Sequence, residues 1–135
     1  MTRGTLHHVE LWVTDLGAAE ASLGRLLLRL GYTEAQRWPT GVRYELGETY
    51  LVLDAGPDVT GPHERTRAGL NHLAFHAGSA EDVDALTEAS LADGWTLLFA
   101  DHHPFAGGPQ HRAAYLTDLA GFEVELVVSD GTTPA

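Results

Sequence analysis

Apolar and polar positions alternate from Leu6 to Val13. The alternation predicts a strand with His8, Glu10 and Trp12 on one face and His7, Val9, Leu11 and Val13 on the other. The period then changes. Leu16, Ala19, Leu23, Leu26, Leu27 and Leu30 recur at helical spacing behind the N-capping pair Thr14-Asp15, and Gly31 marks a stop. Short strand patterns follow at Thr33–Arg37, Val42–Leu46 and Thr49–Leu53, the last two joined by a turn at Gly47-Glu48. Asp54–Gly69 holds two Pro and three Gly and reads as a linker. Beyond it the order returns. A strand at Leu70–Ala77 precedes a helix at Ala80–Ala92, which Ser79 and Asp82 open with capping-box spacing. Strands are predicted at Trp95–Ala100, Ala113–Thr117 and Phe122–Val128. Asp101–Gln110, with Pro104, Gly107, Gly108 and Pro109, is a loop long enough to serve as a flap, and Thr132–Ala135 reads as a loose tail.

The chain is thus β-α-β-β-β written twice. Leu6-His7-His8-Val9-Glu10-Leu11 is echoed by Leu70-Asn71-His72-Leu73-Ala74-Phe75, so His8 and His72 share one place in two halves (72 − 8 = 64). Three short strands after each helix predict an α+β fold of two modules, antiparallel-rich, forming a curved mixed sheet around a cleft. We expect one domain over residues 1–135. Module one covers about 5–54, the linker about 55–69 and module two about 70–128.

Composition narrows the chemistry. The 135 residues contain no Cys, which removes disulfides, thiolate ligands and a Cys nucleophile. All 8 basic residues are Arg, so Lys-based Schiff-base chemistry and phosphate cradles are absent. A formal net charge of −11 argues against nucleic acid, whose phosphates need basic side chains. No apolar run predicts a membrane span, and Met1-Thr2-Arg3-Gly4 lacks a signal-peptide core, from which a cytoplasmic protein is expected.

In the second half, Leu73 and Phe75 should face the helix, with His72, Ala74 and His76 opposite. In the last strand Glu123, Glu125 and Val127 share the face away from Phe122, Val124, Leu126 and Val128. A carboxylate within such an apolar strand is costly unless exposed, paired or metal-bound. Glu123 is expected simply to face water, and Glu125 would do so on an edge strand. A strand His is more often surface or satisfied core than a ligand; the internal repeat is what singles out His8 and His72. One His from each half, with a carboxylate, would suit iron, manganese or catalytic zinc.

The stretches His8-Val9-Glu10-Leu11-Trp12-Val13-Thr14-Asp15, Asn71-His72-Leu73-Ala74-Phe75 and Tyr115–Leu126 resemble the vicinal oxygen chelate superfamily over about residues 5–128. That superfamily includes glyoxalase I, extradiol dioxygenases, and the fosfomycin- and bleomycin-resistance proteins. The resemblance implies His8, His72 and Glu125 as ligands of a divalent ion (iron, manganese, zinc or nickel). Aligning Gly47 with Gly121 puts Leu51 under Glu125, and a shift by one gives Tyr50 or Val52, so the fourth ligand of some members is missing. Gly41–Gly47 and Tyr50–Leu53 are similar to fosfomycin-resistance proteins, but the absence of Lys counts against a phosphonate pocket.

Two functions follow from the resemblance. One is a metal-dependent lyase, isomerase or dioxygenase acting on a substrate with adjacent oxygens. Glu10 would be its proton acceptor, and Trp12, Trp38, Tyr50, His76, His103, Arg112 and Tyr115 would contact substrate. The other is a metal-free protein, similar to bleomycin-resistance proteins, that sequesters a cationic or aromatic natural product. Either would be a homodimer with a small-molecule partner.

Overall fold

The alternation at the N-terminus becomes strand β1 (His8–Trp12), trimmed at both ends from the predicted span. The computed structural model describes residues 2–129, so the predicted tail lies outside the described residues. Two units are distinguished, Met1–Pro62 and His63–Ala135, the division falling inside the predicted linker.

In module one, Asp15 caps helix α1 (Leu16–Ala19), its Oδ1 accepting from the Ala18 N–H at 3.0 Å. The helix continues through a π-helical stretch, Glu20–Gly24, into α2 (Arg25–Arg29). One unbroken α-helix was expected; the wider turn departs from it while Ala19, Leu23, Leu26 and Leu27 still stay buried. Strands β2 (Thr33–Trp38), β3 (Gly41–Leu46) and β4 (Thr49–Asp54) complete a sheet of order β1-β4-β3-β2. β1 runs parallel to β4; the other pairs are antiparallel. Leu11, Val42, Tyr44, Leu51 and Leu53 are buried on the face that serves the helix. The pairs His8↔Tyr50, Glu10↔Val52 and Trp12↔Asp54 set the opposite face.

Module two repeats the plan with β5 (Leu73–His76), α3 (Ala80–Ala92), β6 (Thr96–Leu97), β7 (Ala113–Thr117) and β8 (Glu123–Val127) in the order β5-β8-β7-β6. The capping box at α3 is formed in both directions, Ser79 and Asp82 exchanging hydrogen bonds of 3.0 Å. β5 and β6 are shorter than predicted. Leu98 still donates its N–H to the Tyr115 carbonyl at 2.8 Å before the chain turns away. β8 lies between β5 and β7, so Glu125 sits on a central strand rather than an edge.

Register settles the missing-ligand question differently from the glycine alignment. β1 pairs with β4 as β5 pairs with β8, and Glu10↔Val52 corresponds to Ala74↔Glu125. Val52, not Leu51, therefore occupies the place of Glu125 in module one. Leu51 is buried at 6% exposure on the helix side. An apolar residue stands there either way.

Candidate functional site

In module two, β8 delivers Glu125 and β7 delivers Tyr115 as its direct cross-strand partner. The Glu125 carboxylate is buried and meets three donors. His72 Nε2 lies 3.0 Å from Oε1, His111 Nε2 is hydrogen-bonded to Oε2, and the Tyr115 hydroxyl also bonds to it. Two of the three predicted ligands, His72 and Glu125, are thus in direct contact. Sequence reading missed His111; its only signal was its place at the end of the Gly/Pro-rich loop.

Asn71 fixes the His72 ring. Its Nδ2 donates to the Arg65 carbonyl at 3.0 Å, which leaves Oδ1 to accept from His72 Nδ1–H at 2.7 Å. His72 Nε2 then faces the carboxylate. Ligating imidazoles are commonly oriented by such a bond to the second nitrogen. Two ligands at right angles on one ion, with bonds of about 2.1 Å, would lie roughly 3.0 Å apart. The donor types and this one separation fit a divalent ion. Among the described residues, however, no three His, Cys, Asp or Glu side chains are arranged ready to hold a metal. His72 and His111 sit on different oxygens of Glu125, and an ion would have to replace at least one of those hydrogen bonds.

Burial alone would push the Glu125 carboxyl up, but the bonds from His111, His72 and Tyr115 outweigh it and hold the group below the usual carboxylate range. Burial, and then the Glu125 charge, push the Tyr115 hydroxyl up. The folded state therefore binds fewer protons than the unfolded chain near the ordinary carboxylate pKa. Stability from Glu125 is present in full above that pKa and is lost as pH falls through the lowered folded value. Urea midpoints should decline through that acidic window in the native protein and decline less in Glu125→Gln. Equal slopes in both would refute the assignment.

Glu123, expected to face water, is instead 4% exposed and pairs with Arg65 at 2.9 Å. The loop over the site approaches closely at Gly107. A Cβ there would come within 2.5 Å of the Tyr115 hydroxyl and 2.6 Å of the His111 ring. Phe99 meets the Tyr115 ring edge-on at 5.6 Å and adopts φ +55, a conformation that side-chain-bearing residues seldom take. Phe99, His102, Ala106, His72 and Tyr115 line an open recess, with Glu123 and Asn71.

The other predicted residues have particular neighbours. His103 is part-buried in the loop, while its neighbour His102 is the one that lines the recess. His76 bonds to Ser129 Oγ at 2.6 Å, and Arg112 reaches Asp84 of α3 at 3.5 Å. In module one, His8 is exposed and stacks on Tyr50 at 4.5 Å, with the Arg43 guanidinium 4.2 Å from the Tyr50 centroid. Glu10 accepts from Trp12 Nε1 at 2.7 Å, and Trp38 Nε1 donates to Asp54 Oδ2 at 3.2 Å.

Residues 7–115 match the model of the Glyoxalase/Bleomycin resistance protein/Dioxygenase superfamily. The chain belongs to this superfamily. As a vicinal oxygen chelate protein it is 44% identical over 124 residues to the uncharacterized protein YqjT of Bacillus subtilis, covering 90% of this chain and 97% of that one. A glyoxalase-like crystal structure from Bacillus halodurans is 45% identical, with a TM-score of 0.88 and coverage of 94% and 97%. A glyoxalase/bleomycin resistance protein from Albidiferax ferrireducens shares the fold at 23% identity, with a TM-score of 0.72 and coverage of 93% and 99%. Members of the superfamily bind small molecules, are typically metal-dependent and often form dimers. Among the described residues, no helix is long and apolar enough to cross a membrane.

Proposed function

We propose that this protein is a metal-dependent vicinal oxygen chelate enzyme, of lyase, isomerase or dioxygenase type, acting on a small or natural-product substrate with adjacent oxygens. The observation that carries the reading is the His72–Glu125 contact at 3.0 Å, an imidazole oriented by Asn71 against a buried ionised carboxylate. His72 and Glu125, with His8 from module one, are the proposed ligands. A divalent ion bound there would lower the cost of negative charge developing on the adjacent oxygens of a substrate. Glu10 is the proposed proton acceptor. Trp12 engages its Oε2, which leaves Oε1 to take a proton. Phe99 and Ala106 would help keep water from the recess, and Tyr115 would hold Glu125 through its hydroxyl. The proposed form is a cytoplasmic homodimer.

Protein purified without chelator should carry about one divalent ion per chain by elemental analysis, and His8→Ala should lower that content severalfold. Absence of metal from the native protein, together with failure to take up iron, manganese, zinc or nickel on addition, would overturn the reading.

A second reading is favoured by Trp12, which is 53% exposed on the strand face shared with His8. On that reading the protein sequesters an aromatic guest without chemistry. It requires guest affinity to survive complete metal removal.

A further inference from the structure

The residue before each proposed ligand histidine bonds to that histidine's ring. In module two Asn71 Oδ1 lies 2.7 Å from His72 Nδ1; in module one His7 Nδ1 lies 2.8 Å from His8 Nδ1. The two pairs keep the offset that relates the modules (71 − 7 = 64). Strand alternation would set His7 on the face away from His8, but β1 begins at His8 and His7 lies outside it.

His7 and His8 are both exposed, yet their rings are held. His8 stacks on Tyr50 with ring centroids 4.5 Å apart and planes 9° apart. His7 meets both rings edge-on, at 5.1 Å from His8 and 5.4 Å from Tyr50. The Arg43 guanidinium lies 4.2 Å from the Tyr50 centroid and bonds in turn to Glu45. The Thr49 hydroxyl donates to the His7 carbonyl at 3.4 Å, which ties the His7 backbone to β4. An exposed imidazole left to itself samples several rotamers, and ordering it costs entropy that surface ring contacts offset only in part. Here the stack on Tyr50 fixes the plane of the His8 ring. The bond at Nδ1 fixes which of its two edges is turned away from His7.

A neutral imidazole has one N–H and one lone pair, so a single proton lies between the two Nδ1 atoms. Either His8 donates to His7, or His7 donates to His8. The repeat chooses between them. Asn71 donates from Nδ2 to the Arg65 carbonyl, so its Oδ1 accepts and His72 donates from Nδ1. The same direction in module one makes His7 the acceptor and leaves the lone pair of His8 on Nε2.

We propose that His7 is a positioning residue for His8, accepting its Nδ1 proton and so presenting its Nε2 lone pair to a divalent ion. This role rests on the proposed function in taking His8 as a ligand, and adds a residue outside the ligand set. An imidazole at position 7 does for His8 what an amide at position 71 does for His72.

Two variants test this role: His7→Ala removes the acceptor, and His7→Asn copies the pair found in module two. Tautomers are read first, in the metal-free full chain with EDTA. Long-range proton–nitrogen correlations at about pH 8.5, where histidine rings are neutral, report which nitrogen carries the proton. His8→Gln identifies the His8 signals by their loss. The proton of His8 should be on Nδ1 in the native chain and in His7→Asn. In His7→Ala it should move to Nε2, the tautomer that an unconstrained side chain prefers. Zinc affinity is read second, by calorimetric titration after EDTA is removed. His7→Ala should lower it about 10–100-fold, whereas His7→Asn should stay within about threefold of native. A native His8 protonated on Nε2, an unchanged tautomer in His7→Ala, or undiminished zinc affinity in that variant would each overturn the proposal. A native chain that takes up none of the candidate metals would overturn the proposed function instead, and the tautomer comparison would still decide the role of His7.

Discussion

Glu125→Gln should abolish tight divalent-metal binding while leaving the fold in place. Gln matches Glu in shape and keeps one oxygen to accept from the donors around it. The folded state therefore keeps most of its contacts, and the denaturation midpoint near neutral pH should change little. The metal loses a charged ligand. Orienting residues behind metal ligands are worth about 10–100-fold in affinity, so removing a ligand itself should cost at least about 100-fold. Calorimetric titration of the apo protein with zinc or manganese, native against variant, measures the difference. Affinity within threefold of native would remove Glu125 from the proposed ligand set.

The second large effect concerns stability. Arg65→Ala leaves the Glu123 carboxylate, whose side chain is 3% exposed, without its guanidinium partner. Breaking a buried ion pair from one side costs about 3–5 kcal/mol, but the Arg65 side chain is 31% exposed and the pair is partly screened. About 2 kcal/mol is expected from urea unfolding. Glu123→Gln alone should cost less, and combining the two should recover part of the Arg65→Ala loss, because the uncompensated charge is then gone. A loss below about 0.5 kcal/mol for Arg65→Ala would place the pair among surface contacts of no consequence. Asn71 bonds to the Arg65 carbonyl, so the backbone of the same residue that neutralises Glu123 also supports the His72 ring.

The sequence carried the module plan well because each signal was local. The helix at Ala80–Ala92 and the strand at Ala113–Thr117 match their predicted bounds, the first set by a capping box and the second by alternation. The repeat placed His8 and His72 equivalently, while register puts Val52 rather than the expected Leu51 in the place of Glu125. What escaped depends on contacts between segments distant in sequence. Glu123 looked like a surface residue because nothing near it in sequence is basic; its partner lies 58 positions earlier. His111 looked like a loop residue because its relation to Glu125 depends on how the loop folds back over β7. Asp54 looked like the start of a linker, whereas its carboxylate is fixed by an indole 16 residues away. The π-helical turn at Glu20–Gly24 has no counterpart in the apolar spacing, which a regular helix would satisfy equally well.

The close approach of Gly107 to Tyr115 and His111 makes 107 a position of the loop that admits no side chain without a shift of its neighbours. Any side chain at 107 would displace the hydroxyl or the imidazole that hold Glu125. Phe99, His102 and Ala106 line the recess. On the proposed function, ligand preference would be retuned through His102 and Ala106, which take no part in the hydrogen bonds to Glu125. Substitution at 107 would instead reach Glu125 through the two groups that bond to it. The loop is at once a variable wall and a fixed clasp, and a single missing Cβ separates the two roles.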